Sequence, residues 1–159
     1  MTGSLGVENL AAETPDTLGA YPRLTPLQLQ ALSEVGTTMP VSEGQVLARA
    51  GEPLGSFYVV LDGRVMVHDG DPRLDQPGHE PDSEEAGVDA RIEIHGPGRF
   101  VGDIGLLEGQ PSFATIAALE RGSVLEVSIP ALEQIVTGDP LLGDVILRAY
   151  LIRRSMAIG

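Results

Sequence analysis

The chain contains no cysteine, no tryptophan and no lysine, and only three phenylalanines and three tyrosines. Without cysteine there is no disulfide staple, no thiolate catalysis and no cysteine-ligated metal. Without lysine there is no Walker-type phosphate loop. Aromatics make up 4% of the residues, so aliphatic side chains must fill the interior; a hydrophobic content of 42% over 159 residues is enough for one domain with one core. Basic residues are also few: ten, all arginine, against 23 acidic ones, for a formal charge of −13. That balance repels DNA and RNA. The start MTGSLGVENLAAE has neither a basic stretch nor an apolar run. Nowhere do about eighteen apolar residues follow one another. No export signal and no membrane partner are therefore expected, and the expected location is cytoplasmic. The three histidines, His68, His79 and His95, lack the close spacing of a metal triad, and no Gly-x-Ser-x-Gly elbow occurs. The expected catalytic and metal-ligating residues are none.

What is present reads as a β-rich domain with helices at its edges. Residues 1–20, weakly apolar and acidic, read as a flexible N-terminal arm. Residues 21–136 read as an antiparallel barrel or jelly roll. Thr25 before Pro26 caps a short helix with Leu27, Ala31, Leu32 and Val35 on one side, ended by Gly36. Thr37–Val41, Gln45–Ala50 and Ser56–Leu61 read as strands, separated by Ser42-Glu43-Gly44 and Gly51-Glu52-Pro53, and Asp62-Gly63 is a two-residue hairpin signal. Within this domain, residues 70–89 are acidic and proline-rich and read as a mobile hairpin loop. Arg91 to His95 alternates, which predicts one wet and one dry face; Ser123–Ile129 alternates with Leu125, Val127 and Ile129 inward. Pro130 opens a helix through Val136. Residues 137–159 read as a C-terminal linker or dimer helix, capped at Asp139-Pro140.

The most informative stretch is Phe100 to Ala118, FVGDIGLLEGQPSFATIAA. Phe100 and Val101 end a strand, Gly102 marks a tight turn, and Asp103 caps a helical turn over Ile104–Leu107. Gly109, Gln110 and Pro111 break that turn, and Phe113–Ala118 reads as a buried strand returning beside the first. A helical turn so placed exposes N–H groups that suit a phosphate or carboxylate. The spacing alone favours the other reading, a capped loop that closes a barrel and binds nothing, because lone glycine-rich turns are common.

Gly102, Asp103, Ile104, Gly105, Leu106 and Leu107, followed by Pro111, Ser112, Phe113, Ala114, Thr115 and Ile116, resemble the phosphate-binding cassette of cyclic-nucleotide-binding domains. The run Glu43–Val67 is similar to the front half of that fold, and the resemblance covers about Leu24 to Val136. It implies a jelly-roll barrel plus a C-terminal helix, and a ligand site at Gly102, Asp103, Ile104, Gly105, Leu106, Ser112, Phe113, Ala114 and Thr115. Two departures qualify it. Asp103 stands where the family has the glutamate that contacts the ribose, and Ser112 stands where the family has the arginine that pairs with the cyclic phosphate. Phe113 adds bulk beside the missing charge, and Arg99 is the one nearby residue that could replace it.

The last helix carries two apolar stripes at about 100° per residue. Leu142, Val145, Ile146, Ala149, Ile152 and Met156 form one; Leu147, Tyr150, Leu151 and Ile158 form the other. The first can cover the barrel, while the second calls for a partner, with Leu147, Tyr150 and Leu151 as its interface in a homodimer or against a following domain. Arg148, Arg153 and Arg154 would complement the helix dipole. The ending DPLLGDVILRAYLIRRSMAIG, with Phe113 after the lost arginine, is similar to the linker helix and cassette of bacterial FAD-dependent oxidoreductases of the thioredoxin-reductase type that carry such a domain at their N-terminus. The resemblance implies a regulatory, non-catalytic sensor or docking module. FAD and NADPH would belong to a flavoprotein domain outside this chain, with no cofactor here. The alternative is a working small-ligand or cyclic-nucleotide sensor that acts alone or on a separate partner.

Overall fold

The computed structural model describes residues 12–68, 92–102, 109, 112 and 114–158, with only the backbone given for 156–158. The acidic loop expected at 70–89, and His79 within it, lie outside the described residues. Helix α1 is Pro26–Val35. A capping box starts it, because the Gln28 amide donates to Thr25 Oγ1 at 3.2 Å and the Thr25 amide donates back to Gln28 Oε1 at 2.9 Å. Gly36 closes it, its amide donating to the Leu32 carbonyl at 2.9 Å. Leu32 is fully buried and Leu29, Ala31 and Val35 pack with it, whereas Leu27, expected inward, is 79% exposed. It lies about 140° round the helix from Leu32, on the far side of the buried stripe.

Eight strands follow among the described residues: β1 Thr37–Val41, β2 Val46–Ala48, β3 Ser56–Asp62, β4 Val65–His68, β5 Ile92–His95, β6 Phe100–Val101, β7 Thr115–Ala118 and β8 Gly122–Ser128. They form two four-stranded sheets, β1-β8-β3-β6 and β2-β7-β4-β5, in which every pairing is antiparallel. This is the expected jelly roll. Strand β3 is an apolar run because it is covered on both sides: Tyr58 and Val60 join Val41, Val65, Val101, Ile116 and Val124 between the sheets, while Phe57 and Val59 face the helices.

Two expected local pairings differ. Asp62-Gly63 does not turn β3 back onto β4, since these strands lie in different sheets. It is a corner where the chain passes from one sheet to the other, and the β7–β8 connection runs back alongside it in the opposite direction. Arg64 clamps the two crossings, with Nη2 at 2.7 Å and Nε at 3.2 Å from the Glu120 carboxylate, and its carbonyl accepts from the Leu119 amide at 2.8 Å. Likewise β7 does not return beside β6: β6 pairs with β3, and β7 sits between β2 and β4. The cassette therefore bridges the two sheets instead of folding within one.

Helix α2, Ile129–Gly138, is capped by Ser128, whose hydroxyl accepts from the Ala131 amide at 3.3 Å. The helix begins at Ile129, which is why that residue is half-exposed and not inward like Leu125 and Val127. Helix α3, Pro140–Ile158, is capped by Asp139, which accepts from the Leu142 amide at 3.2 Å. Its buried line is Leu142, Ile146, Ala149 and Arg153, at helical spacing. Arg153, expected to serve the helix dipole in solvent, is thus a core residue at the end of an apolar stripe, whereas Arg148 is exposed and pairs with Asp144 at 2.9 Å. On the other side Leu147 is 36% and Leu151 63% exposed, and Tyr150 is partly exposed. The side chains of Met156 and Ile158 lie outside the described residues.

The arm expected to be flexible over residues 1–20 is docked from Glu13 onward. The Thr14 amide donates to the Ile94 carbonyl and the Ile94 amide donates to Thr14 Oγ1, both at 2.8 Å, so the arm closes the edge of β5. Ala20 is completely buried, and its carbonyl accepts from Arg153 Nε at 2.6 Å.

Candidate functional site

Of the expected cassette, Gly102, Ser112, Ala114 and Thr115 are described; Asp103, Ile104, Gly105, Leu106 and Phe113 lie outside the described residues. Gly102 follows β6 with φ +88°, in the left-handed region that glycine adopts without strain. A Cβ there would meet Leu54, Ile116 and Phe57 at 3.5–3.6 Å, ordinary contact distances, so the backbone angle and not space calls for glycine.

Ser112, Ala114 and Thr115 are buried, at 5%, 4% and 2% exposure. Their polar groups are tied to the turn between β2 and β3. The Gly51 amide donates to the Ser112 carbonyl at 2.6 Å, and the Ser112 amide donates to the Glu52 carbonyl at 2.9 Å. Thr115 Oγ1 accepts from the Ala50 amide at 3.1 Å. The Ser112 hydroxyl donates to the Ala114 carbonyl at 2.6 Å, which uses its only proton and leaves lone pairs on the remaining side of the oxygen. An anion approaching Ser112 would meet an acceptor where a phosphate needs a donor.

Arg99 does not supply the missing charge. It is 5% exposed and belongs to a second polar cluster beneath the arm. Its Nη1 donates to the Thr14 carbonyl at 2.5 Å and to His95 Nδ1 at 3.2 Å. His95 Nε2 lies 3.1 Å from Glu93 Oε1, and Tyr21 Oη donates to Glu93 Oε2 at 2.6 Å. The Arg153 guanidinium lies 5.1 Å from the Tyr21 ring centre and 4.5 Å from that of Phe100. Glu13 pairs with Arg23, whose guanidinium also reaches the Pro97 carbonyl.

In β5, Ile92 at the strand's start is 56% exposed although Ile94 on the same face is buried, and Glu93 and His95 lie beneath the arm. The face expected to be wet is covered by Thr14 and Tyr21. Burial alone would raise the Glu93 pKa; hydrogen bonds from His95 and Tyr21 and the charge of Arg153 outweigh it and hold the carboxyl below its ordinary value. For His95 burial dominates, and with the charges of Arg153 and Arg99 it prevails over Glu93 and pushes the imidazole pKa down.

Sequence reasoning missed both the partners of the cassette and this cluster. Ala50 read only as the end of a strand, and Gly51 and Glu52 carried a turn signal and nothing more. The cluster joins residues 72, 80 and 85 positions apart, which no local pattern marks. Among the described residues no group of three or more histidine, aspartate or glutamate side chains could hold a metal ion, and no helix is long and apolar enough to cross a membrane.

Among the described residues, two antiparallel sheets with one helix before them and two after define a jelly-roll domain. The model of the cyclic nucleotide-binding domain matches residues 38–139, and the chain belongs to that family. A cyclic nucleotide-gated potassium channel of Mesorhizobium japonicum is 25% identical over 86% of this chain and 33% of its own length. The anaerobic regulatory protein of Haemophilus influenzae is 30% identical over 69% of this chain and 37% of its own. The crystal structure of the catabolite activator protein of Thermus thermophilus superposes with a TM-score of 0.64 at 20% identity, over 85% of this chain and 57% of that one. The chain thus spans about a third of the length of these two curated relatives.

Proposed function

We propose that this domain is a regulatory, non-catalytic module whose cassette does not hold cyclic AMP or cyclic GMP tightly. The observation that carries this is Ser112, in the family's arginine position, buried and with its hydroxyl proton given to the Ala114 carbonyl. A cyclic phosphate entering there would lose water without gaining a cation. Loss of one member of such a buried charge pair weakens binding by about 2–5 kcal/mol, roughly 30-fold to several thousand-fold. Calorimetric titration with both nucleotides tests the reading: no saturable binding tighter than about 10 μM is expected, and a tighter Kd overturns it.

The module's output surface is the face of α3 that carries Leu147, Tyr150 and Leu151, docked on a second copy or on a following domain. Its support is the exposure of Leu147 and Leu151 on a helix whose opposite side is fully packed. The parent is read as a flavin-dependent disulfide oxidoreductase, on the resemblance of the last helix and of the cassette with Phe113. Every strand pairing among the described residues is antiparallel, so those residues form no parallel βαβ crevice for FAD or NADPH; in this reading both would bind elsewhere in the parent.

A further inference from the structure

The arm is fastened at two points, and one imidazole lies beneath the first. Arg99 Nη1 holds the Thr14 carbonyl and also donates to His95 Nδ1, while Arg153 Nε of α3 holds the Ala20 carbonyl. Because Arg99 can only donate, His95 Nδ1 must be the accepting nitrogen and the ring hydrogen must sit on Nε2, where it is given to Glu93. This arrangement admits one protonation state, the neutral ring. We propose that His95 is a proton-operated latch: the neutral ring holds the arm against β5 and α3, and a proton on Nδ1 releases the arm and its tether on α3.

The geometry gives the direction. A proton on Nδ1 turns an acceptor into a donor facing a donor, at 3.2 Å, and places a third cation beside Arg99 and Arg153. Arg99 has no spare acceptor to turn to, since its Nε is already buried without a partner among the described residues. All charged and titratable groups around the ring act here. Glu93, on the same strand, favours the proton, but its two oxygens are already engaged by His95 Nε2 and Tyr21 Oη. Arg99, from the turn before β6, and Arg153, from α3, oppose it. From the arm come Glu13, whose field reaches both His95 and Arg99, and Asp16, which faces Arg99 and accepts from the Tyr21 amide at 2.9 Å; Arg23 adds a further positive charge beside Arg99. The arm thus brings two carboxylates to a cluster whose other members include three arginines and one carboxylate. Releasing the arm exposes the ring to water and restores its ordinary affinity for a proton, so acid favours the open arm.

Hydrogen exchange on the full 159-residue chain tests the latch, at pH 7.5 and 5.5, with each rate corrected for its intrinsic pH dependence. Protection of the Thr14, Tyr21 and Ile94 amides is expected to fall, by up to about tenfold, at the lower pH, one unit below the ordinary imidazole pKa of ~6.5, while amides of β3 and β8 keep theirs. Amides around Arg153 should follow the arm. His95→Gln offers a side-chain amide that can donate to Glu93 and accept from Arg99, so protection in that variant should be equal at both pH values. Unchanged protection in the wild type, an equal fall in H95Q, or a fall shared by the core strands would each overturn the latch. Arm opening without a change around Arg153 would overturn its coupling to α3. If H95Q does not fold, the ring nitrogens of the wild type decide by NMR. The neutral Nε2–H form at pH 7.5, gaining its proton as the arm opens, is expected; a charged ring at pH 7.5, or a ring still neutral once the arm has opened, overturns the proposal.

Discussion

Two buried polar regions of this molecule treat charge in opposite ways. Around Ser112 the described side chains that make hydrogen bonds are hydroxyls, and those bonds run to backbone groups of the turn at Ala50–Glu52 and of Ala114. Beneath the arm, Arg99, Arg153, Glu93 and His95 are packed together, with backbone carbonyls of residues 14 and 20 as ligands of the two guanidiniums. In the first region, which by resemblance is where the family has its arginine, no described hydrogen bond involves a cation; the second has two buried arginines. The difference shows that a buried cation in this fold is retained when the chain itself supplies the acceptors, and that a serine can fill the cassette position without leaving an unsatisfied group.

Removing charge should therefore hurt one region far more than the other. Arg153→Ala takes away the partner of the Ala20 carbonyl, a neighbouring charge of Glu93 and the contacts over Tyr21 and Phe100. It is expected to cost about 3–5 kcal/mol in urea unfolding. Ser112→Ala should cost only about 1 kcal/mol, one neutral hydrogen bond. Equal losses would erase the contrast.

Adding charge to the neutral region is the next test. Ser112→Arg should tighten cyclic AMP binding about 30-fold or more by calorimetry, equivalent to about 2 kcal/mol. No gain would mean that the cassette backbone, and not the missing guanidinium, sets the limit.

Acid should act on the charged region alone. His95 has a folded pKa below its ordinary value, so its contribution to stability is complete above pH ~6.5 and is lost as pH falls towards the folded value, at up to about 1.4 kcal/mol per unit. Glu93 and Glu13 also have lowered values; their contributions are present above 4.5 and are lost as pH falls through the folded values. Thermal melts from pH 8 to 3 should fall in two stages, and H95Q should lack the first. The smallest effect on stability belongs to the outer face of α3: Leu151→Glu should change unfolding by no more than about 0.5 kcal/mol, yet convert an assembled species to a monomer by light scattering.

Much of the scaffold was legible because its signals are local. Thr25-Pro26 and Asp139-Pro140 each carry a cap and a proline side by side, and α1 and α3 begin there; Pro130 marked α2, whose cap Ser128 and first residue Ile129 read as strand. The apolar strands and the glycine-led cassette were legible for the same reason. Which sheet each strand joins was not, because Asp62-Gly63 makes a hairpin turn or a corner depending on where β7 and β8 cross. Nor was the role of Arg153, since an arginine at the end of a helix reads as a solvent charge until its stripe partners Leu142, Ile146 and Ala149 are seen to be buried. In the cassette, Ser112 could be set by resemblance at the place of the family's arginine, but the turn of its hydroxyl back to Ala114 was not legible.

The docking of the arm also sets an order of assembly. Thr14 bonds to a residue 80 positions later, and Ala20 to one 133 positions later, near the end of the chain. A polypeptide leaving the ribosome makes its first residues long before Ile94 or Arg153 exist, so the segment at the front of the sequence is among the last to find its place. Closing so long a loop gains little until the rest is in place, because the entropy lost on bringing its ends together is offset only by a few bonds. Until the arm has docked, the β5 edge stands open at Ile94, and that interval is when two nascent chains could exchange arms.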